Sequence, residues 1–282
     1  MSLQPGQYQI GNFVFGNGTL FSVEQFEILG YDVNVQDFQT PSSDTLRFGS
    51  DSLKPLPIQM SINAYQNRTL SNIAALVGSG PGNFSSDPTI LEFLTEWKSE
   101  STRQNWGELK PLLFCRDDGT VVRIYGRPGK ISVSLLDPNK AYRKIIAEFR
   151  RSDTFCYSNS EYVVTAPSSP QTVTRTEGNA PSWLRFLLTG PMSTPIIQLG
   201  WATIQLSAPI QAGDTVEISS YPWSRRVISL VDGVSYAAGL SGTTLDKLKF
   251  DAGVPIALSW NASGTDLSSS CQMLWRNAWY EI

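Results

Sequence analysis

Apolar and polar positions alternate with a period near two over most of this chain, as in strands that bury one face. Residues 8–15 alternate at their start and end in Gly16-Asn17-Gly18, a turn signal. Residues 21–29 set Phe21, Val23 and Gln25 on one side and Phe26 and Ile28 on the other. That imperfect alternation fits a strand covered on both faces. Another strand is predicted over 56–64. Residues 111–116 and 121–125 flank Asp117-Asp118-Gly119 and read as a hairpin, because Asp-Gly supplies the positive φ of a tight turn. Strands over 131–136 and 142–151 follow.

One segment has helical spacing instead. Asp87 suits an N-cap and Pro88 the first helical position, where its missing N–H costs nothing. Ile90, Leu94 and Trp97 recur at i, i+4 and i+7, flanked by Leu91 and Phe93, with Glu92, Glu96, Lys98 and Glu100 on the wet side. This reads as a helix packed on a sheet. Leu70, Ile73, Ala74 and Val77 suggest a second, short helix ending at Gly78.

Beyond about residue 152 the pattern changes. Strands come at short, regular spacing over 196–206, 215–219, 226–231, 234–237, 255–260 and 272–282, with Asp232-Gly233 joining two of them. Six of the eight tryptophans lie in this half, and no helical spacing appears. That is the signature of an all-β sandwich. The Ser-, Thr- and Pro-rich stretch 165–181 leads into it, so the boundary falls near 150–165. The expected domains are 1–152 and 153–282. The expected fold is mainly β: an N-terminal β-sandwich or split barrel with one packed helix, then a C-terminal β-sandwich.

Composition narrows the chemistry. The 282 residues contain no histidine. That excludes Ser-His and Cys-His nucleophile pairs, histidine metal sites and a histidine pH switch. It leaves open carboxylate chemistry, a Ser-Lys pair, or no catalysis. Cys115, Cys156 and Cys271 are odd in number and far apart, so they read as buried thiols formed in a reducing compartment. A net charge of -3 argues against a generic basic nucleic-acid binder. The first residues carry no basic start or apolar run, so no export signal is expected there. The uncharged stretch 186–213 is long enough to span a bilayer, but Pro191, Pro195 and Pro209 with Gln198 and Gln205 make β-structure the better reading. Gly78-Ser79-Gly80-Pro81-Gly82 lacks the lysine of a phosphate loop and reads as a plain loop. Asn67-Arg68-Thr69 and Asn261-Ala262-Ser263 match the glycosylation acceptor, a pattern common by chance. The tryptophans of the second half suit either core packing or a sugar platform, and Trp260, Trp275 and Trp279, being on strands, favour the core. No catalytic residue, metal ligand or cofactor site is assigned.

Charge is unevenly placed. Residues 1–46 hold no Lys or Arg and five acids: Glu24, Glu27, Asp32, Asp37 and Asp44. Residues 116–151 hold nine cations, Arg123, Arg127, Lys130 and Arg143 among them, against four acids. The two segments either pair within one domain or form complementary faces between copies, which favours a ring.

Two stretches carry a likeness. Leu46-Arg47-Phe48-Gly49-Ser50-Asp51-Ser52-Leu53-Lys54-Pro55, with the helix around Trp97 and Val122-Arg123-Ile124-Tyr125-Gly126-Arg127-Pro128, resembles the N-terminal half of the distal tail (Dit) proteins of long-tailed phages. The nearest likeness is to minor tail proteins of actinobacterial siphophages. The ending Leu274-Trp275-Arg276-Asn277-Ala278-Trp279 looks like the close of their galectin-like C-terminal domain, and 211–218 and 231–235 resemble its inner strands. The resemblance implies a virion protein, assembled in the host cytoplasm. It implies a six-fold ring at the tail tip between tail tube protein and tail-tip hub, without enzymatic activity or membrane insertion. DNA would pass through without specific binding. Glu24, Glu27, Asp32, Asp37, Asp44, Phe48, Asp51, Arg123, Arg127, Lys130 and Arg143 are then the candidate ring-interface or lumen residues. The alternatives are a receptor- or carbohydrate-binding tail module and a glycan-cleaving enzyme. True galectins read sugar with a histidine-containing motif that this chain lacks, so no sugar site is carried over.

Overall fold

A computed structural model describes residues 3–27, 30–39, 46–47, 49, 51–65, 88–105, 107–134 and 142–280. The chain divides into two compact units, Met1–Cys156 and Tyr157–Tyr280. Both are mainly β, as the alternation predicts.

In the first unit the chain runs β1 (Gln7–Ile10), β2 (Phe13–Gly16), β3 (Phe21–Glu27), β4 (Tyr31–Asn34), β5 (Phe38–Gln39), β6 (Leu46–Arg47), β7 (Ser52–Pro55) and β8 (Ile58–Tyr65). Helices α1 (Pro88–Lys98) and α2 (Glu100–Gln104) follow, then β9 (Leu112–Cys115), β10 (Val121–Ile124), β11 (Gly126–Val133) and β12 (Tyr142–Arg151). One set of strands pairs in the order β2-β1-β9-β10, another in the order β11-β12-β8-β3, all antiparallel. Alternate residues of these strands meet in one core. Ile58, Ile62, Ile124, Ile145 and Phe149 are fully buried there. Each such side chain is worth about 1.5–3 kcal/mol of transfer free energy.

The helix binds that core through Ile90, Phe93 and Trp97, with Leu94 half-buried and Leu91 exposed. The stripe is therefore i, i+3, i+7, rotated slightly from the spacing the sequence suggests. Phe93 is the hub, within 5.2–5.7 Å of the rings of Phe13, Phe15, Phe21 and Trp97. Glu96, on the wet side, is half-buried by its pairing with Lys110. Asp87, the short helix around 70–77 and the glycine loop at 78–82 lie outside the described residues.

Several boundaries differ from expectation. Residues 7–16 form a hairpin, not one strand, because Gly11 takes φ +56° and turns the chain. β3 carries an irregularity between Val23 and Gln25, which is why its alternation is imperfect. Residues 31–34 and 52–55, unassigned by the alternation, pair as a two-stranded ribbon. β11 begins at Gly126 and runs through Pro128, earlier than predicted.

After β13 (Cys156–Ser158), the second unit contains β14 (Tyr162–Thr165), β15 (Gln171–Val173), β16 (Ser182–Thr189), β17 (Ser193–Leu199), β18 (Ala202–Leu206), β19 (Thr215–Ser219) and β20 (Arg226–Ser229). Then come β21 (Leu240–Gly242), β22 (Lys249–Phe250), β23 (Ile256–Ser263), β24 (Ser270–Trp275) and β25 (Ala278–Trp279). Two antiparallel sheets, β14-β24-β16-β19-β20 and β15-β23-β17-β18-β21, enclose Leu184, Phe186, Leu188, Ile197, Ile204, Val216, Leu258 and Met273. This is a β-sandwich.

Here too single expected strands split. Residues 196–206 are two strands turning at Gly200-Trp201, and 272–282 break at Arg276-Asn277. No strand forms over 234–237; Ser235 makes only an isolated bridge to Ile228. The 165–181 stretch is not purely a leader, since it contains β15. The cysteines are unpaired and buried.

Candidate functional site

The surface of the first unit is most unusual at its ribbon. In β4 and β7, Tyr31 faces Pro55 and Val33 faces Leu53, while Asp32 faces Lys54 and Asn34 faces Ser52. Residues directly opposite share a face, so the ribbon has one apolar side and one polar side. An apolar side normally turns to a core. Here Tyr31, Val33 and Leu53 remain 57%, 40% and 42% exposed, and Val35 just beyond remains 54% exposed. Exposed apolar area of this kind marks an interaction surface. The period-two run Tyr31-Asp32-Val33-Asn34-Val35 was its signal in the sequence.

The ribbon continues toward β5 and β6, where Phe38 pairs with Arg47 and Gln39 with Leu46. Backbone and carboxylates hold this stretch together. Asp37 Oδ1 accepts the Gly49 N–H at 3.1 Å and Asp51 Oδ1 accepts the Gln36 N–H at 3.3 Å. Gly49 is required by close approach: a Cβ there would sit 2.1 Å from the Gln36 carbonyl oxygen.

The candidate charged residues fall in separate places. Glu24, on β3, pairs with Lys144 of β12 at 3.1 Å and accepts the Ser61 hydroxyl, so one acid of the N-terminal run does meet one cation of the basic run. Glu27 is exposed and accepts Gln25 Nε2 at 2.5 Å. Asp32 is exposed and caps the Val33 N–H at 2.9 Å. Arg123 lies on β10 with its guanidinium 5.8 Å from the Tyr125 ring centroid. Arg127 donates Nη2 to the Asn105 carbonyl at 2.8 Å and Nε to the Glu108 carbonyl. Lys130 is exposed on β11, and Arg143 is buried on β12 opposite Ala64. Asp44 and Phe48 lie outside the described residues. The structure thus brings Asp37 and Asp51 together on the ribbon and does not gather all the candidates at one point.

Arg127 has a neighbour that sequence reasoning passed over. Arg103, near the end of α2, donates Nη2 to the Pro128 carbonyl at 2.7 Å and Nε to the Lys98 carbonyl. Together with Gln104, Asn105, Gly107 and Leu109 the two arginines line a cleft of about 430 Å³.

In the second unit two arginines and two glutamates form one network. Arg185 is held by Glu161 at 2.5 Å and Glu217 at 3.0 Å, and Glu217 also takes Arg226 at 2.7 Å. These carboxylates are held by charge-assisted hydrogen bonds from the guanidinium groups. Trp183 and Trp275 are buried, Trp223, Trp260 and Trp279 half-buried, and Trp201 is the one of these six that is exposed. Among the described residues, no group of three or more acidic or cysteine side chains is placed to hold a metal. No described helix is long and apolar enough to cross a membrane.

Fold and surface define a class: a two-unit antiparallel β protein that exposes an apolar ribbon among its described residues. No known protein family matches the sequence by its profile, and no curated protein matches it. Solved structures do match the fold. The chain superposes on the Dit protein of phage SPP1, described as a paradigm of the hub adsorption apparatus in phages infecting Gram-positive hosts. The TM-score is 0.59 at 11% identity, covering 96% of this chain and 98% of that one. It also matches a chain of the phage P2 baseplate in its activated conformation, solved with Ca (TM-score 0.52, 8% identity, 96% and 97% covered) and with Sr (0.53, 9%, 95% and 97%). The chain therefore has the Dit fold that its sequence resembles.

Proposed function

We propose that this chain is a structural, non-enzymatic component of a phage tail tip. In this reading it forms a ring of six copies that joins the tail tube protein to the tail-tip hub, and DNA passes through the ring without specific binding. Residues 1–152 make the ring; residues 153–282 form a galectin-like sandwich outside it. The protein is assembled in the host cytoplasm and resides in the virion.

The observation that carries this reading is the extent of the fold likeness. It runs through both units at once and accounts for 98% of SPP1 Dit, so it is not the sharing of one common sandwich. Fold alone does not assign function. The exposed apolar face of Tyr31, Val33 and Leu53 supports the reading independently, because a monomer has no use for it and a ring covers it. The test is the solution mass of the full chain by size exclusion with light scattering. A discrete multiple of 31.1 kDa supports the proposal. A chain that stays at 31.1 kDa at every concentration overturns it.

A further inference from the structure

Two unmatched charge clusters in the first unit have complementary sign. Arg103 and Arg127 face one cleft, and every contact they make is to a backbone carbonyl: Lys98, Pro128, Glu108 and Asn105. Among the described residues, neither has a carboxylate within ion-pair distance. The nearby Glu108 carboxylate is instead held by Asn105 Nδ2 at 2.5 Å. Asp37 and Asp51 are the mirror case: each accepts one backbone N–H, from Gly49 and Gln36, and neither pairs with a cation among the described side chains. Surface charges normally find counterions among neighbouring side chains or in solvent. Two arginines sharing a cleft and two aspartates sharing a ribbon leave one contact of each sign unmet in every copy.

We propose that the Asp37–Asp51 pair of one copy docks into the Arg103–Arg127 cleft of the next. This contact rests on the ring reading above and specifies how its copies meet. A ring needs a head-to-tail contact between two different patches of the same chain. These two patches are different, opposite in charge and present once per copy. The two guanidinium groups bind carboxylates through charge-assisted hydrogen bonds. A cleft of about 430 Å³ has room for the side chains of a ribbon. The acidic pair also continues the ribbon whose face carries Tyr31, Val33 and Leu53, so the ion pairs set the register in which that apolar face is covered.

The test uses full-length chains and their assembly state. Two reversed variants are made: Arg103→Glu with Arg127→Glu, and Asp37→Lys with Asp51→Lys. Each alone places like charges at both halves of the contact and is expected to need at least about tenfold higher concentration to assemble. Mixed in equal amounts they restore both halves, and the expected product is an assembly alternating the two chains at wild-type concentration. A milder pair, Asp37→Asn with Asp51→Asn, keeps a side-chain Oδ1 acceptor for each backbone N–H and removes only the charge; it is expected to weaken assembly and make it less salt-sensitive. Variants that assemble like wild type overturn the contact while leaving the ring reading intact. So does a mixture that fails although each chain keeps its wild-type melting curve. Arginine variants that assemble normally but lose retention on immobilised DNA would give the cleft to phosphate and overturn the proposal. A wild-type chain that never assembles is the separate failure of the ring reading itself.

Discussion

Trp275 offers the sharpest stability test. It lies on β24 with 5% of its surface exposed, its ring 5.4 Å from Phe250 edge-on and 5.8 Å from Tyr162 in a stack. Its Nε1–H donates to Asn277 Oδ1 at 3.2 Å. Truncation to Ala removes the transfer term and leaves a cavity, together about 3–5 kcal/mol. A unit of about 120 residues unfolds with an entropy near 2.1 cal/mol/K per residue, so each kcal/mol moves Tm by about 4 °C. Trp275→Ala should therefore lower the Tm of the second unit by about 12–20 °C. Trp275→Phe keeps a ring between the same neighbours and orphans only the Asn277 acceptor, at a cost of about 1–3 kcal/mol. Trp279, half-buried beyond the break at Arg276-Asn277, should cost clearly less than Trp275 on truncation. Calorimetry on the full chain reads all three, with the first unit's transition as an internal reference. Trp275→Ala melting within about 1 kcal/mol of wild type, or Trp279→Ala costing as much, would refute the reasoning.

Further outcomes follow from the same surfaces and cores. Val33→Lys with Leu53→Lys should abolish self-association while leaving the melting curve unchanged, because both side chains are exposed in the single copy; light scattering and circular dichroism check this. Burial pushes the Cys156 thiol up to about 12, although Arg151 and Arg116 pull it down. Its proton is then kept in the folded chain above pH of about 8.5, where the unfolded thiol loses it, so stability should fall as pH rises from there toward 12. Urea unfolding at two alkaline pH values should show a smaller fall for Cys156→Ala, and an equal fall would contradict the assignment. Duplex DNA should not bind the assembled protein tightly at about 50 mM salt, since a transit channel that neutralised phosphates would hold its cargo; tight binding in a filter or anisotropy assay would exclude free passage.

How much of this was legible beforehand depends on whether a local signal had a global counterpart. The hairpin of β9 and β10 was plain because Asp118-Gly119 dictates its own turn: Gly119 takes φ +83° and Asp118 accepts the Thr120 N–H at 2.8 Å. β12 was plain because Ile145, Ala147 and Phe149 recur at every second position and are buried, although Arg143 is buried and Ile146 exposed against the expected pattern. The turns at Gly11-Asn12 and Gly200-Trp201 were hidden inside longer alternating runs, where the period continues through the turn. The break at Arg276-Asn277 could not be read locally, since it is fixed from far away: Arg276 Nη1 reaches the Ser158 carbonyl and the Asn277 N–H the Ser158 hydroxyl, both at 3.0 Å. Arg175 carries no local signal of burial, yet it is 1% exposed, donating to the carbonyls of Glu177 and Ala180. At the candidate site, the acids and arginines were visible as composition, but which of them share a cleft or a ribbon is a matter of topology. Arg103 escaped notice because it lies outside both charged runs.

The central claim is that copies of this chain close into a ring. Electron microscopy of the purified full-length protein tests it most directly. The account expects closed particles of six-fold symmetry with a central opening, with the ribbon of each copy covered by its neighbour. Separate particles the size of one chain, or open filaments without closure, would contradict it.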